Sequence, residues 1–367
     1  MPGKKAVKVR EHQLYTVLPS VWKKLKEENH IDPEFRQQAR KIEFFHRLFY
    51  PAHLLQNKLH FRKIREDICR KCPPVFINGL WRSGTTHLHY MMARDPQFGY
   101  LKNHQAFTFN MSLLSMDKLN SILNIFLPKR RPQDNVKITL DDPAEEEQPF
   151  ATITHRSSIH SFFFPKNQEY FNRYHLFQGI SEEERELWKR DYLFLLQNIR
   201  YYSRKEQLLL KNPHNTGRIK ELLEMFPEAK FIFIHRDPFR VYNSTLKLYD
   251  KMIRTQFLQQ CSDQEIEQII LQNNKKILQK YLAERSLVPP GNLVEISFEE
   301  LEKSPIDTVE RIYKKINLKG FESAKPAMQE YLDSVKEYKK NPHQAPDVGL
   351  VARIRTEWEA WFREWGY

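Results

Sequence analysis

At 367 residues the chain is long enough to bury the core of one large α/β domain, and 40% hydrophobic with 13% aromatic content excludes a disordered chain. Lys and Arg outnumber Asp and Glu by 59 to 46, a formal charge of +13, which points to an anionic partner: nucleic acid, a membrane surface or a small molecule. No apolar stretch of signal-peptide length follows the basic start, no apolar run can span a bilayer, and three cysteines are too few for a disulfide framework, so a soluble, cytoplasmic chain is expected.

Taken in chain order, residues 1–70 are expected as a helical extension packed on a domain that spans 71–367. LPSVWKKLKEEN and FRQQARKIEFFHRLFY repeat apolar and aromatic residues at helical spacing, the second after the helix-start signal Asp32-Pro33. Core packing is the favoured role of this extension. Its basic, aromatic face also offers a peripheral membrane contact, and a homodimer surface is a further use. Cys69 and Cys72 form a lone CxxC without a second pair, which reads as two ordinary thiols, and no metal is expected. Segments 74–80, 207–211, 230–235 and 292–297 are apolar, short and bounded by Pro, Asn or charged residues, the marks of buried strands. Helical patterns separate them, at 216–227, 238–252, 262–285 and 305–316, with a tryptophan-rich closing helix over 349–367. Strands alternating with helices predict a parallel sheet in an α/β fold.

The first strand runs into Gly79-Leu-Trp-Arg-Ser-Gly84-Thr85-Thr86 and then a helix, where backbone N–H groups and the positive helix end cradle a phosphate. The spacing is that of a P-loop, yet Thr85 stands where a nucleoside triphosphatase carries lysine, and the basic residue is Arg82, inside the loop. That change argues against a P-loop phosphotransferase. Downstream, Phe231-Ile-Phe-Ile-His-Arg236-Asp237-Pro238 is a second strand-to-helix passage, and Ser244 lies two turns into the helix, so a guanidinium and a hydroxyl can share one phosphate. Candidate proton acceptors are His104, whose ordinary pKa lies near neutrality, and the carboxylates Glu145 and Glu147 of LDDPAEEEQPFA. The acidic run also reads as a helix start after Asp142-Pro143. Lys211 ends the strand QLLLK, where open α/β sheets bind ligands.

LWRSGTTHLHYMMARDP resembles the 5′-phosphosulfate loop of the sulfotransferases that use 3′-phosphoadenosine 5′-phosphosulfate (PAPS), especially the broad, largely bacterial branch related to tyrosylprotein sulfotransferases. Arg236 and Ser244 match that family's 3′-phosphate element, and the likeness covers roughly residues 74–318. The resemblance implies a P-loop-like three-layer fold with helices on both faces of the sheet. It implies a loop made by Arg82, Ser83, Gly84, Thr85, Thr86 and His87, and transfer of a sulfonate to a hydroxyl or amine with adenosine 3′,5′-bisphosphate as product. A base follows the loop in that family, and Lys102-x-His104 is similar to its lysine-x-histidine, although closer to the loop. Lys211 matches a family lysine position, and a cation at that strand end can stabilise the sulfonate in the transition state. The rival class, a basic protein binding membrane or nucleic acid, lacks any nucleic-acid module. The acceptor, whether small molecule, lipid, glycan or peptide, is uncoded; its pocket is expected from the N-terminal helices, residues 105–175 and the tail.

Overall fold

The computed structural model describes residues 12–66, 72–114, 139–336 and 348–367. Helices α1 (Pro19–Glu28) and α2 (Arg36–Glu66) precede strand β1 (Val75–Asn78), and α3 (Thr85–Met92) leaves the loop after it. The short β2 (Phe98–Gly99) and α4 (Asn103–Thr108) follow, then α5 (Glu147–Ile153), α6 (Gln168–Leu176) and α7 (Glu182–Ser203) lead to β3 (Gln207–Lys211). Helix α8 (Ile219–Met225) leads to β4 (Lys230–His235), and α9 (Pro238–Lys251) with α10 (Asp263–Glu284) leads to β5 (Leu293–Ser297). Helices α11 (Phe298–Lys303), α12 (Pro305–Lys315), α13 (Phe321–Val335), α14 (Val348–Glu357) and α15 (Glu359–Trp365) end the chain.

The strands form one sheet in the order β2-β3-β1-β4-β5, every pair parallel. Alternation along each strand divides its side chains between two layers. Val75, Ile77, Leu209, Ile232, Ile234, Val294 and Ile296 pack with α3 and with α11 to α13. Phe76, Leu208, Leu210, Phe231 and Phe233 pack on the other face with α7 to α10 and the closing helices. Both faces are covered, which is why β1, β3 and β4 read as near-continuous apolar runs, whereas β5 at the edge alternates buried Val294 and Ile296 with half-buried Leu293, Glu295 and Ser297. This is the expected three-layer α/β fold, with β2 added at one edge. Two residues are too short to leave a sequence pattern.

Local chemistry sets the helix starts. Asp237 accepts from the N–H of Arg240 at 2.8 Å and Pro238 opens α9; Ser262 and Glu265 form a reciprocal capping box at α10. The tail breaks at Trp358 into two helices where one was expected. At the other end, Leu14, Val21, Trp22, Leu25 and Ile42 bury against Phe163, Phe164, Phe171 and Leu258, so Phe163 and Phe164 are core residues.

Candidate active site

The loop after β1 is a strained turn held by its neighbours. Gly79 has φ 149° and Gly84 φ 102°, a region where a Cβ is disfavoured, and Arg82 itself sits at φ 71°. A Cβ on Gly79 would lie 2.5 Å from the carbonyl of Ile234, and one on Gly84 would lie 2.2 Å from the ring of Phe298. Ser83 donates through both its N–H and its hydroxyl to the carbonyl of Leu80, at 3.2 and 2.8 Å. Thr216 accepts from the N–H of Gly79 at 2.9 Å and donates to its carbonyl at 3.1 Å. Gly84 then caps α3, whose first turn holds Thr85, Thr86 and His87. His87 shares a hydrogen bond with the hydroxyl of Tyr331 at 3.2 Å, and burial pushes its pKa down.

Arg82 and the second anchor converge across 162 residues of sequence. The Nε of Arg82 donates to the hydroxyl of Ser244 at 2.9 Å, and an Nη of Arg236 donates to the carbonyl of Arg82 at 3.2 Å. The Arg236 guanidinium lies 4.2 Å from the centre of the Phe298 ring. Its Nε is buried and has no hydrogen-bond partner among the described residues. A buried donor of that kind is costly unless an acceptor completes it.

The acidic run approaches the loop from the other side. The expected helix at Pro143 starts instead at Glu147, because Ala144 donates to the carbonyl of Leu101 at 2.8 Å and residues 102 and 143 bridge as extended backbone. The three glutamates therefore part company. Glu145 pairs with the Nζ of Lys211, which also donates to the hydroxyl of Thr86 at 3.3 Å. Glu146 is buried, accepts from Tyr192 at 3.1 Å and Asn215 at 3.0 Å, and burial pushes its carboxyl up to about 7. Burial would raise Glu147 as well. Arg218, gripping both its oxygens at 2.6 and 2.9 Å, and then His214 hold it below the ordinary range. Both residues of that pair are fully buried, and Ser157 and Asn212 complete the carboxylate.

His104 is buried on α4. A carbonyl can only accept, so Nδ1 donates to Leu140 at 3.0 Å and Nε2 accepts from the Tyr202 hydroxyl at 3.0 Å. Burial pushes its pKa down, which fits this neutral tautomer. The contact pins the strand-like segment that carries Glu145. Cys69 lies outside the described residues, and Cys72 donates to Glu206 at 3.6 Å.

A cleft beside the loop takes part of its lining from residues 158–175, inside the stretch 105–175, but sequence reasoning did not join that stretch to Trp81, Tyr249 and Asn274. Trp81, Phe162 and Tyr249 wall the cleft, and His175, His214 and Asn274 line it. The Nε2 of each histidine and the Nδ2 of Asn274 are buried without a hydrogen-bond partner among the described residues. Burial pushes His214 down to about 4, and the edge of its ring meets the Trp81 indole. The aromatic at 81, next to Arg82, was the available signal. Of the stretch 105–175 expected to shape an acceptor pocket, residues 115–138 lie outside the described residues.

The sulfotransferase family model matches residues 73–323, more than half of the chain. The chain belongs to the sulfotransferase family. This sulfotransferase is 30% identical over 314 residues to proteins of Mycobacterium bovis and Mycobacterium tuberculosis called omega-hydroxy-beta-dihydromenaquinone-9 sulfotransferase Stf3, covering 86% of this chain and 80% of theirs. In fold it resembles sulfotransferase STF9 of Mycobacterium avium, with TM-score 0.69 and 16% identity over 95% of this chain and 96% of that one. Sulfotransferase STF1 of Mycobacterium tuberculosis gives TM-score 0.66 at 16% identity, over 95% of this chain and all of that one (100%).

Proposed function

We propose that this sulfotransferase moves a sulfonate from PAPS to a hydroxyl on an apolar, lipid-like acceptor. The observation that carries the donor reading is the meeting of Arg82, Ser244 and Arg236 around the turn that opens α3, with the buried Arg236 Nε lacking a partner among the described residues. The loop N–H groups and Arg82 would hold the 5′ phosphosulfate, and Arg236 with Ser244 the 3′ phosphate. The donor supplies an activated sulfonyl group whose leaving oxygen belongs to a phosphate. In an in-line displacement the acceptor oxygen bonds to sulfur and the phosphate oxygen departs with the electron pair, so the residues that matter are those that meet developing negative charge. Arg82 serves the departing oxygen and Lys211 the equatorial oxygens of the sulfonate.

The acceptor proton goes to Glu145 in this reading. Lys211 ties that carboxylate to Thr86, in the first turn of α3, whereas Glu147 is committed to Arg218 and both nitrogens of His104 are committed to Leu140 and Tyr202. With a sulfonate beside Thr86, Lys211 has a second anion to serve and Glu145 becomes the freer base. His104 then positions Glu145 through Leu140.

The acceptor class rests on two supports: the name of the 30%-identical relatives and the aromatic residues Trp81, Phe162 and Tyr249 beside Arg82, next to which buried histidine and asparagine atoms offer hydrogen bonds. Incubation with labelled PAPS and a panel containing an ω-hydroxylated menaquinone, a long-chain primary alcohol, a monosaccharide and a tyrosine peptide tests it. Label is expected on the first two. Transfer confined to the sugar or the peptide would contradict the acceptor assignment.

A further inference from the structure

Helix α2 buries one side, and the described residues leave the other exposed. Ala39, Ile42, His46, Gln56 and Ile64 are buried, and at about 100° per residue they share one side of the helix. Phe44, Leu48, Leu55 and Leu59 fall within about 60° of one another on the opposite side. Their exposures are 62, 56, 49 and 53%. The stripe runs about 22 Å along the axis. Among the described residues ten large apolar side chains are exposed, and seven of them belong to α2, so the exposure is concentrated.

Charge says what could cover it. Residues 36–66 carry eight Lys and Arg against two Glu, a net +6, and Glu43 is already paired with Lys26. Arg40, Lys41 and Arg47 flank the stripe at one end and Lys58, Arg62 and Lys63 at the other, all exposed. We propose that α2 is a membrane-docking helix that lays Phe44, Leu48, Leu55 and Leu59 on an anionic lipid surface. Basic side chains then lie at headgroup level while the apolar stripe reaches the acyl boundary, the arrangement of an in-plane amphipathic helix. A second copy fits this face worse, because pairing the stripes brings +6 against +6. Among the described residues no helix is long and apolar enough to cross a membrane.

The inference is independent of donor and acceptor, and its test needs no turnover. Flotation of the full chain is compared on vesicles of phosphatidylcholine alone and of phosphatidylcholine with phosphatidylglycerol at about 2:1. The wild type is expected to float with the mixed vesicles, to stay behind with phosphatidylcholine, and to be released by salt. The Leu48→Glu/Leu55→Glu variant, changed only at exposed positions, is expected to lose partition about tenfold or more while keeping its melting temperature and its affinity for adenosine 3′,5′-bisphosphate. A wild type that ignores mixed vesicles overturns the proposal without reference to any variant. So does a variant that floats as well as the wild type, or a dimer in solution that these substitutions dissociate.

Discussion

Arg82, Glu145 and His104 hold different places around the loop, and their substitutions separate chemistry from positioning. Arg82→Ala is expected to lower kcat by about 10²- to 10³-fold, the cost of removing one donor from developing charge. Glu145→Gln is expected to lower kcat by about 10²-fold or more with nucleotide affinity nearly unchanged. His104→Ala is expected to cost less, and a His104→Gln variant that keeps the bond to Leu140 is expected to recover part of the loss. Rate and calorimetric measurements on the same proteins check this; an Arg82 or Glu145 variant with full turnover would refute the corresponding role. The placement of Arg82, Arg236 and Ser244 beside strand-to-helix passages was legible in the sequence because each stands at a fixed offset from a strand end. The fates of Glu145, Glu146 and Glu147 were not. Three consecutive glutamates look alike until the late start of α5 turns one toward Lys211, one toward Tyr192 and one toward Arg218.

Elements are joined around this site by two devices. One is the contact of Gly84 with Phe298, which seats the start of α3 against α11. Gly84→Ala is expected to abolish nucleotide binding, and adding Phe298→Ala is expected to restore only part of it, since the positive φ remains strained. Full recovery in the double variant would show that the ring alone is the obstacle. The other device is the buried Arg218–Glu147 pair, which fastens the start of α5 to the passage from β3 to α8. Arg218→Met strands a buried carboxylate and is expected to destabilise the protein by about 3–5 kcal/mol, while the Arg218→Met/Glu147→Leu pair recovers most of it. Denaturant melts decide; a single variant as stable as the wild type would remove the pair from the scaffold. Strands β1, β3 and β4 were readable because both faces are covered and their residues run apolar, and β5 because buried Val294 and Ile296 alternate with half-buried neighbours. The two-residue β2, the four-residue delay of α5 and the break at Trp358 depend on backbone partners far away in sequence.

For the whole molecule, burial of histidine sets the response to pH. His12, His160, His214 and His235 are pushed down to about 4 from an ordinary 6.5, burial being the cause in each. Between those values the unfolded chain takes up protons that the folded chain refuses, so their contribution is full above about 6.5 and is lost as pH falls toward 4. Glu146 acts oppositely: its folded value of about 7 against 4.5 gives stability that is full below 4.5 and is lost as pH rises to 7. Four groups outweigh one. The melting temperature is expected to fall by roughly 5 °C or more from pH 7 to pH 5, and Glu146→Gln is expected to steepen that fall and to gain stability above pH 7. A melting temperature that rises on acidification would reverse the assignment. The net charge of +13 takes on two local meanings, the proposed phosphate site at Arg82 and Arg236 and a basic, apolar face on α2. The most direct test of the donor claim is calorimetry with adenosine 3′,5′-bisphosphate and with ATP plus Mg²⁺, on the wild type and on Arg236→Ala. Preferential binding of the bisphosphate, weakened about tenfold or more by the substitution, is the predicted result. Metal-dependent preference for ATP, or a bisphosphate affinity indifferent to Arg236, would contradict it.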